Sequence, residues 1–219
     1  MGTTPGCLLP IGYLPEGPHG TVSGIQALPG PRGKAAPAPG SSSTPAAGKA
    51  YNLPLIQGGK GDPFYVTMGC GAQAEATKEG ATLTITGGDK WDVTVQTPIV
   101  DSVTAGKPDG VMIAPNDATA MFTPLKAMND AGIKMTLVDT GLEDLSFAQS
   151  FITSNNLQGG QLAAEALAKL VGDKGTVLVI NTNPGVTTVD ARVKGFYDEL
   201  TTHPNITALP VQYSLDDPT

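Results

Sequence analysis

The chain contains few of the residues on which most catalytic and nucleic-acid-binding sites depend. Its 219 residues include two cysteines, two histidines and two arginines, Arg32 and Arg192. Acidic residues outnumber Lys and Arg by 20 to 13, so the formal net charge is −7. Because nucleic acids and anionic membranes bind clustered positive charge, this composition argues against either as a partner.

Catalytic, cofactor and metal sites are not indicated either. Cys7 and Cys70 lack metal-ligand spacing and are too few for a disulfide scaffold. His19 falls in a low-complexity region and His203 near a predicted helix end, so neither can serve a Ser–His or Cys–His pair. The chain has no GxSxG, no P-loop and no GxGxxG after a strand. We therefore predict no enzyme, no cofactor and no metal.

Long apolar runs and an export signal are absent as well. No run approaches the roughly 20 apolar residues that a membrane helix needs. No basic segment followed by an apolar one opens the chain. We therefore expect no cleavable export signal in the sequence as written.

What the sequence does contain is a low-complexity arm followed by alternating strand and helix patterns. Residues 1–49 are rich in Pro, Gly, Ser and Ala and show neither a helical nor a strand period. Such a segment cannot bury enough apolar surface to offset the conformational entropy that it would lose on ordering, so we predict a disordered arm. Beyond it, apolar runs typical of buried strands alternate with helical stretches. Strands are predicted at 52–57, 81–86, 110–115, 133–139, 175–181 and 206–212, a short extended piece at 150–153, and helices at 63–79, 92–106, 118–131, 156–171 and 187–201.

This alternation predicts an α/β fold with a parallel sheet covered by helices on both faces. A long polar loop after Asp139 breaks the rhythm, and it ends in a cluster of Ser, Asn and Gly. We place a domain boundary there, near Ser154–Asn156. It divides an N-terminal lobe, residues 50–154, from a second unit, residues 155–219.

Polar residues concentrate where the predicted strands end, the edge at which open parallel sheets bind ligands. Asp62 follows the first strand and Asp139 the fourth. Carboxylates can accept hydrogen bonds from adjacent sugar hydroxyls, and the rings of Phe64 and Tyr65 suit the apolar face of a sugar. Alternatives remain open: Asp62 before Pro63 is a good helix N-cap, and either ring could pack in the core. Paired carboxylates also serve glycoside hydrolysis, but nothing in the sequence fixes their separation.

Four segments carry a family resemblance in their order and spacing. They are "LPLIQGGKGDPFYVTMGCGAQAEATKEGATLTIT", "PDGVMIAPNDATAMFTPLKAMNDAGIKMTLVDT", "ITSNNLQGGQLAAEALAKLVGDKGTVLVI" and "DARVKGFYDEL". From about Tyr51 to Thr219 the chain resembles the sugar-binding type I periplasmic binding proteins of ABC transporters, the ribose-binding-like group. The resemblance implies two α/β lobes that close on a sugar by hinge motion, with the first crossover between lobes at Ser154 and Asn155.

The resemblance also implies functional roles. It makes Asp62 a hydroxyl-binding position, Phe64 and Tyr65 stacking aromatics, and Asp139 the ligand-binding acid that ends strand four. The protein would be the extracytoplasmic, monomeric substrate-binding component of a carbohydrate transporter. Its partners would be a sugar or polyol and a membrane permease.

The chain departs from the family pattern at one position in each lobe. Thr140 stands where the family often has Arg, and Asp190 stands where a sugar-binding Arg is common. Arg192 lies two residues further on and hence on another face of the helix. We predict that both Asp190 and Arg192 bind ligand. An acidic cleft formed by Asp62, Asp139 and Asp190 leaves an amino sugar, or another polyol with a positive group, open beside a neutral sugar.

The resemblance stops early in the second lobe. We therefore expect an incomplete second lobe with uncovered strand edges and apolar surface. The arm resembles a misassigned start, since "GSSS" is typical of a linker after a lipid anchor. Two alternatives stay open: a non-functional truncated fragment, and the effector-sensing core of a LacI-type regulator. The regulator shares the fold but needs a basic helix-turn-helix upstream, and residues 1–49 have no helical period.

Overall fold

The computed structural model describes residues 50–215, and the predicted arm at 1–49 lies outside the described residues. Short strands alternate with longer helices throughout this range. The strands are β1 (Leu55–Gln57), β2 (Ile85–Gly87), β3 (Gly110–Ile113), β4 (Lys134–Val138), β5 (Ser150–Ile152), β6 (Gly175–Val177), β7 (Ile180–Asn181), β8 (Ile206–Ala208) and β9 (Gln212–Tyr213). The helices are α1 (Pro63–Glu79), α2 (Val93–Ala105), α3 (Phe122–Asp130), α4 (Asn156–Leu170) and α5 (Thr187–Leu200).

A five-stranded parallel sheet in the order β2-β1-β3-β4-β5 organises the first part of the chain. Successive strand residues face opposite sides of the sheet, so Leu55 packs with Tyr65 of α1 on one face. Ile56 packs with Val100 of α2 and Leu125 of α3 on the other face. The predicted α/β architecture, with helices on both faces of a parallel sheet, is confirmed.

The predicted boundary near Ser154–Asn156 falls between β5, the last strand of this sheet, and α4. We call residues 50–154 the first lobe and residues 155–215 the second lobe. In the second lobe, α4 and α5 pack with β6 and β8 around a small core that includes Ala164, Val177 and Leu200.

Two helices contain a proline, a residue that can delay the start of a helix or kink it. α3 begins at Phe122 rather than at 118, which places Pro124 in the first turn. The N–H groups of the first turn have no acceptor within the helix, so a proline there costs no helical hydrogen bond. Before it, Asp117 Oδ1 accepts a hydrogen bond from the Thr119 amide at 2.8 Å and holds a turn in place of helix. α2 instead continues through Pro98.

The two predicted strands of the second lobe are each broken in two. β6 pairs with β8, and β7 pairs with β9, both in parallel. Between these pairs the register shifts by one residue, because Val177 lies opposite Ala208 whereas Ile180 lies opposite Gln212. Pro210 occupies the longer interval and has no N–H to donate to the ladder. The prediction of continuous strands was therefore wrong at this point.

Uncovered apolar surface, expected from the resemblance, is confirmed in the second lobe. Leu178 is 46% exposed, Ile180 67% and Leu209 43%. In the central strands of the first-lobe sheet, by contrast, Ile56 and Ile113 are fully buried. Across residues 50–215 there is no helix whose length and apolar character would let it span a bilayer.

Candidate functional site

A cavity lies where the carboxyl ends of the first-lobe strands face the start of α5. Its volume is about 280 Å³, near the lower end of the roughly 300–1,000 Å³ typical of small-molecule pockets. Both lobes contribute to its wall. The first lobe supplies Asp62, Phe64, Tyr65, Trp91 and Asp139, and the second supplies Thr182, Val186, Thr188, Val189 and Arg192.

Asp62 both caps α1 and lines the cavity. Its Oδ1 accepts a hydrogen bond from the Phe64 amide at 2.7 Å, and Pro63 occupies the first helical position. Gly61, with φ +88°, supplies the left-handed turn that leads into the cap. The capping interpretation is confirmed, and it leaves the second carboxylate oxygen of Asp62 available at the cavity wall.

Tyr65 and Asp139 form a hydrogen-bonded pair at the cavity wall. The Tyr65 hydroxyl donates to Asp139 Oδ2 at 2.7 Å. Burial raises the pKa of Tyr65, and the neighbouring Asp139 charge raises it further, so the hydroxyl stays protonated and can donate. Burial also raises the pKa of Asp139, against the opposing effects of the Tyr65 hydrogen bond and the positive charge of Arg192. Within the described residues, Asp139 Oδ1 has no hydrogen-bond donor.

Three aromatic rings form one wall of the cavity. Tyr65 and Trp91 stack with their ring centroids 6.1 Å apart and an interplanar angle of 29°. Phe64 meets Tyr65 edge-on at 5.2 Å. Trp91 Nε1 donates to the Asn116 carbonyl at 2.9 Å, which fixes the indole. At Gly58 a Cβ would lie 2.2 Å from the Trp91 ring, so the wall requires glycine there.

Sequence reasoning missed Trp91. The signal was present, because the chain's one tryptophan stands directly before Asp92. Asp92 caps α2 at the end of β2, so Trp91 belongs to the same sheet edge as Asp62 and Asp139. Thr182, in the loop before α5, and Thr188, in the first turn of α5, were also missed, and such small hydroxyl residues carry no comparable signal.

Asp190 and Arg192 lie in different environments although both belong to α5. Arg192 lines the cavity, and none of the described residues forms an ion pair with it within 4 Å. Asp190 is absent from the cavity wall: its Oδ1 accepts from Asn181 Nδ2 at 3.0 Å, and its Oδ2 accepts from the Gly185 amide at 2.9 Å. The structure therefore brings together every predicted site residue except Asp190. The cavity contains two acids and one arginine in place of the three acids expected.

Thr140, the other departure from the family pattern, is buried and packs behind the site. Its Oγ1 donates to the Pro115 carbonyl at 2.8 Å, which joins the ends of β4 and β3. A layer of buried amides continues this support, since Gln57 Nε2 donates to the Tyr65 carbonyl at 2.8 Å and Gln96 Nε2 to the Ala114 carbonyl at 2.8 Å. The strand ends that carry the site are thus held by hydrogen bonds in which every donor is paired.

Comparison with known proteins places this architecture in a family. Residues 54–219 match the family described as "Periplasmic binding protein domain". The chain is 26% identical over 150 residues to the ribose import binding protein of Bacillus subtilis, covering 68% of this chain and 48% of that protein. It is 33% identical over 138 residues to a galactofuranose-binding protein of Escherichia coli, covering 62% of this chain and 43% of that protein. The chain thus spans about half the length of the curated relatives it matches.

A solved structure shows the same fold. An ABC transporter solute-binding protein from Agrobacterium vitis, bound with α-D-tagatopyranose, superimposes with a TM-score of 0.73 at 42% identity, covering 75% of this chain and 58% of that one. The family match extends over most of the chain and includes both lobes. The chain therefore belongs to the periplasmic binding protein domain family, in its type I sugar-binding group.

Proposed function

We propose that the protein is the substrate-binding component of a carbohydrate ABC transporter and captures a neutral monosaccharide or related polyol between its lobes. The observation that supports this most directly is the composition of the cavity. A stacked aromatic wall from the first lobe faces polar and charged groups contributed by both lobes. Sugars combine an apolar ring face with a rim of hydroxyls, and this cavity offers a partner for each.

The proposed contacts divide by chemistry. Tyr65 and Trp91 would lie against the apolar face of the sugar ring. The free carboxylate oxygens of Asp62 and Asp139 would accept hydrogen bonds from hydroxyls, and Arg192 would donate from the opposite lobe. Thr182 and Thr188 would add hydroxyls that can both donate and accept. A sugar bound in this way would contact both lobes, so its binding would favour the arrangement in which the two lobes are closed on the cavity.

The charge of the cavity favours a neutral ligand. Asp190 is engaged by Asn181 and Gly185, so it does not add to an acidic cleft. Arg192 partly offsets Asp62 and Asp139, and its positive charge would repel an ammonium group. The amino-sugar interpretation therefore loses its main support, and we do not include Asp190 among the proposed ligand contacts.

The relatives named above bind ribose, galactofuranose and tagatopyranose, and we extend a related role to this chain. It would deliver its sugar unchanged to a membrane permease, work outside the cytoplasmic membrane and act as a monomer. Asp62 and Asp139 would serve as hydrogen-bond acceptors, not as the acid and base of a hydrolase.

Trp91 provides a direct test, because it is the single tryptophan of the chain and lies in the cavity wall. Tryptophan fluorescence and isothermal titration calorimetry would be recorded with D-ribose, D-tagatose, D-arabinose and D-glucosamine. We expect saturable binding of at least one neutral sugar. Asp139→Asn should weaken it by roughly tenfold or more, as expected for a hydrogen bond to a charged group.

Asp101→Asn is the matched control, since Asp101 is exposed on α2 away from the cavity; it should bind like the parent chain. Binding of glucosamine alone would overturn the neutral-ligand proposal. No response to any of these sugars by either method would count against sugar capture by this chain.

A further inference from the structure

Asp190 organises the loop that leads into α5. One carboxylate oxygen accepts from the side chain of Asn181, where β7 ends, and the other accepts from the backbone amide of Gly185. The two bonds span residues 181–185, which we call the Asp190 loop. Since Asp190 sits in the first turn of α5, the loop is fixed to the start of that helix.

The Asp190 loop and the first turn of α5 make two hydrogen bonds to the first lobe. The Ala118 amide donates to the Gly185 carbonyl at 3.1 Å. The Gly141 amide donates to Thr187 Oγ1 at 2.9 Å. Both donors are buried backbone groups beyond β3 and β4, so these bonds join the lobes directly beside the cavity.

Gly185 allows this contact to form. Its φ of +85° is a left-handed conformation that side chains rarely adopt. A Cβ at this position would lie 2.6 Å from Asp117 Oδ2 in the first lobe. The loop can therefore approach the first lobe this closely only with glycine in that conformation, and its backbone amide is one of the two donors that Asp190 holds.

We propose that Asp190 is a positioning residue that shapes the loop so that Gly185 and Thr187 dock on the first lobe and hold the two walls of the cleft together. With the loop docked, Arg192 and Thr188 line the same cavity as the first-lobe groups. The apparent affinity of a ligand falls with the fraction of protein in the competent state, so loss of docking weakens binding. This consequence for binding rests on the proposed function, whereas the docking itself does not.

Amide hydrogen exchange measures the docking directly, because the second lobe supplies the acceptors for Ala118 and Gly141. In Asp190→Ala without ligand, we expect the Ala118 amide to exchange faster by roughly tenfold, the equivalent of about one lost hydrogen bond. The Ala114 amide, bonded to the Ile56 carbonyl at 3.0 Å within the first-lobe sheet, should keep its rate. Unchanged exchange at Ala118, or equal acceleration at Ala118 and Ala114, would overturn the proposal.

Asp198→Ala is the matched control, since Asp198 lies on the same helix and pairs with Lys194 on its exposed side; it should leave Ala118 protected. Gly185→Ala keeps Asp190 but introduces the interfering Cβ, so it should also accelerate Ala118, and it decides the question if Asp190→Ala does not fold. Protection retained in Gly185→Ala would contradict the docking.

Sugar titrations of the same variants separate this proposal from the functional one. If the parent chain binds a neutral sugar, Asp190→Ala should bind it more weakly although Asp190 is not a contact residue. If the parent chain binds no sugar, the proposed function fails, while the exchange rates still decide whether Asp190 positions the loop.

Discussion

Asp139 combines two features that disfavour folding and suit a binding site. Its φ of +61° is left-handed, which costs a non-glycine residue roughly 1–2 kcal/mol, although Asp and Asn tolerate it best. Burial raises its pKa, so the folded state disfavours its charged form. Such residues persist where the surrounding structure enforces them, and they cluster at functional sites.

We expect Asp139→Asn to stabilise the ligand-free protein at neutral pH. A carboxyl whose pKa is raised by folding costs stability above its unfolded pKa of about 4, because the native state then binds more protons than the unfolded state. Asn keeps the acceptor for Tyr65 and tolerates the left-handed backbone. The gain in melting temperature should therefore be clear at neutral pH and should shrink as the pH falls toward about 4, measured by circular dichroism.

Asp144→Asn is a control for which we expect the opposite change in melting temperature. The hydrogen bond from the Ser146 amide lowers the pKa of Asp144, so its ionised form contributes stability that is present at neutral pH and lost as the pH falls. The substitution should lower the melting temperature slightly at neutral pH. A gain for Asp139→Asn that persists unchanged at low pH would show that burial of its charge is not the cause.

The residues of the site differ in how far the sequence alone reveals them. Asp62 and Asp139 were predictable because strand ends and loop acids can be read in order along the chain. Asp190 and Arg192 were predicted together, yet only Arg192 reaches the cavity. Their positions differ by about 200° around a helix of 3.6 residues per turn, and only the packing of that helix decides which face meets the cleft.

At the scale of elements, α4 and α5 pack through glycines at close range. A Cβ at Gly160 would lie 1.9 Å from the Arg192 carbonyl oxygen, and a Cβ at Gly195 would lie 2.0 Å from that of Leu157. Each helix thus contacts the other's backbone directly. Because Gly160 of α4 packs against the backbone carbonyl of Arg192, the way in which α4 and α5 cross determines where the Arg192 side chain enters the cavity.

Gly160→Ala should destabilise the protein by about 2 kcal/mol or more, since overpacking against rigid backbone costs roughly 1–3 kcal/mol. The adjacent Gly159 provides the matched control, because a Cβ there meets nothing within 4 Å. Gly159→Ala should stabilise α4 by roughly 0.5–1 kcal/mol through helix propensity. Urea denaturation of both variants measures the difference. Equal effects from the two substitutions would show that α4 and α5 do not meet this closely in solution.

Helices were easier to predict than strands in this chain. α1, α4 and α5 begin at the predicted residues 63, 156 and 187. The starts of α1 and α4 carry local signals, since Asp62 and Asn155 cap them and Pro63 opens α1. The second-lobe strands were predicted as continuous, but the break at Pro210 depends on which neighbour the strand pairs with and in what register. Pairing partners are not local, so an apolar run alone does not define the strand's length.

At the scale of the whole molecule, the two lobes differ in how completely they are covered. The first lobe has a five-stranded sheet with helices on both faces. The second lobe has two-stranded pairs, and Ile180 there is 67% exposed. Two-stranded pairs are marginal unless they pack against further structure, so the described part of the second lobe should have the lower stability. Few hydrogen bonds join the lobes, so their unfolding should be only weakly coupled.

We therefore expect urea to unfold the second lobe first. Fluorescence of Trp91, which lies in the first lobe, should show its midpoint at a higher urea concentration than the early loss of far-UV circular dichroism.

Leu125→Ala, in the first-lobe core, should lower the free energy of unfolding reported by Trp91 by about 2–5 kcal/mol. Leu200→Ala, in the second-lobe core, should lower the urea concentration at which the early loss of circular dichroism occurs. It should leave the midpoint of the Trp91 fluorescence transition nearly unchanged. A single transition that both substitutions shift equally would mean that the lobes unfold as one cooperative unit. The hydrogen bonds that join the lobes would then couple them far more strongly than their number suggests.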